Sequence, residues 1–179
     1  KFLNLCKPLH PIVFNDLFCL ANENVHTLSV GISKESDFDY HLEAMDLLSE
    51  VEKYVPEIQR RLEKESMSTL GYEWYFNCFR NLPNWQNTPG KINIPVLIWL
   101  SNLCDAWDMS EFVKSRYQLL GNANHWFPGN NSNELDINVS EKELLDSIKN
   151  HIEPAKVISK LRSLKQKFGS QAVKRLSEN

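Results

Sequence analysis

The stretch "IPVLIWLSNLCDAW", residues 94–107, decides the fold class. It is apolar on nearly every side and carries Pro95 at its start, the pattern of a buried central helix rather than a surface one. A chain built around such a helix must bring further amphipathic helices to cover it.

The next segment fits that role. Asp108 followed by Glu111 has the spacing of a capping box for "MSEFVKSRYQLL", and Gly121 stands where a helix end wants a left-handed residue. The two helices are expected to form an angled pair joined at Asp108. Upstream, Tyr72, Trp74, Phe76 and Cys78 alternate like a strand, whereas Tyr72, Tyr75, Phe76 and Phe79 fit a helix face; we favour the helix.

From Asp39 to Ser66 the period is helical, with Leu42, Met45, Leu48, Val51 and Val55 as one apolar stripe, and Pro56 marking a restart or a kink. Residues 11–21 suit a short buried helix with Pro11 at its start. "VHTLSVGIS", 25–33, alternates Leu28, Val30 and Ile32 with small polar residues and reads as the clearest strand. Its expected partner is "INI" or "LDINV", or a strand of another chain.

Downstream, Ser140 and Glu143 form a capping box, Pro154 opens "AKVISKLRSLKQKF", and a last short helix follows Gly169. The expectation is a mainly α fold of six to seven helices with a small β element near the N-terminus, α+β being the alternative. Residues 1–153 are read as one globular domain, and 154–179 as a basic amphipathic helical segment docked on it.

Composition agrees with a folded globular chain: 179 residues, 42% hydrophobic and 24% charged. The longest apolar run falls far short of a membrane helix, and no targeting segment interrupts the N-terminus, so a cytoplasmic location is expected. Cys6, Cys19, Cys78 and Cys104 have no Cys-x-x-Cys or zinc-type spacing and read as reduced, buried thiols.

Charge is unevenly spread. Residues 1–153 carry −9 and residues 154–179 carry +6, against a net −3. Residues 35–57 hold Glu35, Asp37, Asp39, Glu43, Asp46, Glu50, Glu52 and Glu57 against Lys53 alone, a face suited to steering a basic partner. The basic segment, with Lys160, Arg162, Lys165 and Lys167 between apolar residues, suits either nucleic acid or docking on the fold.

Motifs for catalysis are absent: no Gly-x-Ser-x-Gly, no phosphate loop and no dinucleotide fingerprint. The His residues form no ligand set, so neither a metal nor a cofactor is expected. The loop "GNANHWFPGNNSNELD", 121–136, is notable for placing His125, Trp126 and Phe127 among Asn, Gly and Pro, and Trp85 lies in a similar loop. Such aromatics serve either as anchors at a protein contact or as a lid folded back on the core.

The function these features favour is a non-catalytic protein-binding module, of which an inhibitor or immunity-type protein is one instance. It would hold a basic partner through Asp37, Asp39, Glu43, Trp85, His125, Trp126 and Phe127. The alternatives are a nucleic-acid-associated adaptor using Lys160, Arg162, Lys165 and Lys167, and an enzyme with a motif-free site near Glu73, Asp105 and His125.

Overall fold

The computed structural model describes residues 1–122 and 127–170. It is mainly helical, with nine α-helices among the described residues and no sheet. Contacts group the described residues into two units, residues 1–66 and the described residues from Met67 onward.

In the first unit, α1 (Phe2–Leu5) leads into α2 (Pro11–Leu20), then α3 (Asp37–Asp46), a 3-10 turn at Leu48–Glu50 and α4 (Val51–Leu70). Pro11 fixes the first turn of α2, and the His10 ring accepts the Ile12 amide at 3.3 Å to cap it. The unit's core is Cys6, Leu9, Val13, Phe14, Leu17, Ala44, Val55, Ile58 and Leu62. Pro56 sits inside a continuous α4, and the break in the helical run falls earlier, at Leu47–Glu50.

Residues 25–32 form no strand, contrary to the alternation read in the sequence. Val30 and Ile32 are exposed, and among the described residues the backbone of 26–32 makes no hydrogen bond. The physical reason is the lack of a partner edge. The stretches expected to pair with it bridge elsewhere, Ile92 to Asn130 and Leu135 to Val139, both in the second unit.

That unit is built on α6 (Ile94–Trp107), with α5 (Tyr72–Asn77), α7 (Ser110–Leu119), α8 (Glu141–Ser147) and α9 (Pro154–Phe168). Ile94, Leu97, Ile98, Leu100, Leu103 and Ala106 of α6 are buried, as its all-round apolar surface requires. The Asn93 side chain caps α6 by accepting the Val96 amide, and Ser140 and Glu143 form the expected capping box on α8. α9 packs on α6, α7 and α8, burying Val157, Ile158, Leu161, Leu164 and Phe168.

The box expected at Asp108 does not form. Asp108 instead takes a left-handed conformation, φ 57°, that ends α6, and Met109 precedes α7 with no side-chain cap. α5 is helical, and it turns Trp74 and Cys78 inward while Tyr72, Phe76 and Phe79 stay exposed. Cys6 and Cys78 are buried and Cys104 half-buried, whereas Cys19 is exposed on α2; all four are free thiols. Burial pushes the Cys6 thiol up to about 11. The short helix expected after Gly169 lies outside the described residues.

Candidate partner-binding face

The outer face of α3 carries large apolar side chains and acidic side chains together in the open. Its start is set by Asp37, whose carboxylate accepts the Ser33 amide at 2.9 Å and the Lys34 amide at 3.2 Å. These amides hold the Asp37 carboxyl below the usual carboxylate range and turn the chain into the helix. Asp37 is buried, so it works inward.

Three more residues complete the inner face. The Tyr40 ring stacks on His10 at 3.8 Å with the planes 5° apart, His41 Nδ1 meets Asp16 at 2.5 Å, and Ala44 is buried. Positions 37, 40, 41 and 44 share one helical face by their three- and four-residue spacing. With polar and aromatic residues holding the inner positions, the apolar residues between them must point outward.

They form two parallel stripes. Phe38, Leu42 and Met45 are 53%, 60% and 57% exposed, and their spacing of four then three residues makes one ridge. Asp39, Glu43 and Asp46 repeat that spacing one position on and are also exposed. Of the five residues that share the apolar stripe of the sequence, Leu42, Met45 and Leu48 are exposed and Val55 is the buried one.

Among the described residues no cation pairs with the outward acids of this face. No Lys or Arg occurs between residues 35 and 52, which hold seven acidic side chains. Among the described residues Glu35, Asp39, Glu43 and Asp46 join no ion pair, whereas Glu50 pairs with Lys53, Glu57 with Arg60 and Glu65 with Lys1. Residues 1–66 as a whole hold seven basic and twelve acidic side chains, a net −5. Like charges gathered without counter-charge raise a local field that favours a cationic partner.

The loop candidates are placed differently. Trp85 is half-buried, with the Gly129 backbone against its ring. Phe127 packs on the core beside Trp99, ring centroids 5.8 Å apart. The loop base is tied down by Gly121 N–H to the Gly129 carbonyl at 2.7 Å, Asn130 N–H to the Lys91 carbonyl at 2.7 Å, and the Asn93 side-chain amide to the Pro128 carbonyl at 2.6 Å. Gly129, at φ 89°, lies so close to Lys91, Asn93 and Trp85 that a side chain would collide with them. Phe127 is thus partly buried against the core. His125 and Trp126 lie outside the described residues.

The basic candidates on α9 are largely engaged within the fold. Lys160 is buried, its ammonium 2.7 Å from Asp105 and 3.3 Å from Ser101. It also lies 5.3 Å from the centroid of the buried Trp74 ring, with Lys156 at 4.5 Å. Arg162 makes a two-pronged contact to Asp136 at 2.9 and 3.0 Å and reaches Glu141 at 2.8 Å. The Asp136 carboxyl is held below its usual range by that guanidinium. Lys165 donates to the Leu135 carbonyl, and Lys167, although exposed, also has an interaction partner.

Nor do the residues weighed for catalysis converge. Glu73 is exposed and bonded to Asn77, Asp105 is paired with Lys160, and His125 is outside the described residues. Among the described residues no group of three His, Cys, Asp or Glu could hold a metal ion, and no helix is long and apolar enough to cross a membrane.

An open cavity of about 340 Å³ beside Tyr117 and Phe168 is lined by Asn122, Asn130, Asn131 and Asn133. Their amides are committed to the carbonyls of Gln118, Gly90, Leu120 and Gly169, so they knit loops together rather than face a ligand.

The two α3 stripes carried a partial sequence signal. Asp39 and Glu43 stand out through charge and Leu42 and Met45 through helical spacing, but the spacing does not say that they, with Phe38, face outward. Comparison of the chain with models of known families, with characterised proteins and with solved structures finds no match.

Proposed function

We propose that the chain is a non-catalytic protein-binding module that holds a basic partner against the outer face of α3. The observation that carries this reading is the pair of exposed stripes, Phe38–Leu42–Met45 beside Asp39–Glu43–Asp46, with no cation paired to the acids among the described residues. A contact needs apolar area for affinity and charge for steering and register, and the face supplies both. An inhibitor or immunity-type protein for a basic target is one instance of such a module.

The engagement of Lys160, Arg162 and Lys165 inside the fold leaves less support for a nucleic-acid adaptor. The test is affinity capture from native cell extract with the original chain, with Asp39→Lys/Glu43→Lys, and with Glu111→Lys as a charge control on an exposed acid elsewhere. A stoichiometric basic protein should be held by the first and third and lost by the second. Equal capture by all three, with equal melting, would overturn the reading.

A further inference from the structure

The register of the two stripes identifies the kind of partner. Building on the protein-binding reading above, we propose that the partner presents a basic amphipathic α-helix, which lies along α3 with apolar residues on Phe38, Leu42 and Met45 and Lys or Arg side chains on Asp39, Glu43 and Asp46.

Both stripes follow a 4,3 spacing over the ten residues of α3, a face about 15 Å long. Side chains in rows three and four residues apart make ridges and grooves that accept the matching rows of another helix, with axes about 8–10 Å apart. An apolar row beside a charged row means that the partner must carry the same two rows with the charge reversed.

The sign of the charge disfavours three other occupants. A second copy would set Asp39, Glu43 and Asp46 against their own counterparts, and a nucleic-acid backbone or an anionic membrane would add phosphates to the same acids. A basic peptide without the apolar row would gain only screened surface attraction, which weakens with salt. The apolar row also stays in water unless something covers it.

The experiment uses the whole chain, immobilised, to select phage-displayed random 20-residue peptides at physiological salt. Selected peptides are then synthesised, titrated by calorimetry and examined for helix formation on binding by circular dichroism. The expected sequences carry apolar residues at three- and four-residue spacing with Lys or Arg one position on. They should become helical on binding. Leu42→Asp/Met45→Asp and Asp39→Lys/Glu43→Lys should each weaken them at least tenfold, while Glu111→Lys leaves them unchanged.

Basic peptides that bind without helical pattern, and ignore Leu42→Asp/Met45→Asp, would overturn the helix while leaving the acidic face as a binding surface. Peptides indifferent to both double variants would overturn both. A dimer in light scattering that dissolves on Leu42→Asp/Met45→Asp would put a second copy on the face and overturn the inference.

Discussion

Truncating Leu42 to Ala separates an outward-facing stripe from a core stripe by the size of its cost. Full burial of a Leu side chain contributes about 1.5–3 kcal/mol. Leu42 keeps 60% of its surface in water, so truncation should remove about 1 kcal/mol or less, and the higher helix propensity of Ala returns a few tenths of that. Had the stripe faced the core, the loss would be about 2–5 kcal/mol, because a cavity would be left behind. Ile58→Ala in α4 is the internal reference: Ile58 is 1% exposed, and its truncation should cost about 2–5 kcal/mol. Urea unfolding followed by far-UV circular dichroism measures both, with equal slopes required for a valid comparison. A loss above about 2 kcal/mol for Leu42→Ala would falsify the outward placement of the stripe, and the proposed contact face with it.

Three further outcomes follow from single features. Gly129→Ala should destabilise by more than about 1 kcal/mol, because a non-glycine residue is strained at φ 89° and its Cβ would press on Lys91, Asn93 and Trp85; Trp fluorescence and urea unfolding of the variant check this, and an unchanged midpoint refutes it. The depressed Asp37 carboxyl makes a folding contribution that is complete above its unfolded value, about 3.9, and is lost as pH falls through the lower folded value; the amide resonances of Ser33 and Lys34 should move together in that acid range and stay fixed in Asp37→Asn. Amides of residues 26–32, which have no hydrogen-bond partner among the described residues, should exchange with solvent at nearly unprotected rates, whereas those of α6 should be slow; protection of 26–32 in the isolated chain would show a pairing that the structure lacks.

What the sequence made legible depended on whether local chemistry or distant partners set each element. The α6 helix was readable because its apolar residues surround the axis, so no choice of face arose. The capping box at Ser140 and the Pro-led starts of α2 and α9 were readable for the same reason: each is settled within one turn. The strand at 25–33 was not, since a strand exists only with a neighbour, and alternation says nothing about whether a neighbour arrives. Asp108 illustrates competition between two local rules. The residue sits between helices and can cap the second or end the first, and the left-handed C-terminal conformation prevailed.

The α3 face shows why periodicity alone cannot separate core from contact surface. A spacing of three and four residues says that Phe38, Leu42 and Met45 lie together; it does not say which way they point. Direction was set by residues that a hydrophobicity reading discounts: Asp37 bonded to two backbone amides, His41 bonded to Asp16, and Tyr40 stacked on His10. Four inward contacts by polar, aromatic and small side chains fix the helix's rotation and turn its largest apolar side chains out. A ridge of exposed Phe, Leu and Met beside carboxylates that pair with no cation among the described residues adds water-exposed apolar area and charge repulsion at once. The proposed contact surface would account for both costs on one helix, on the face that packing within the first unit leaves free.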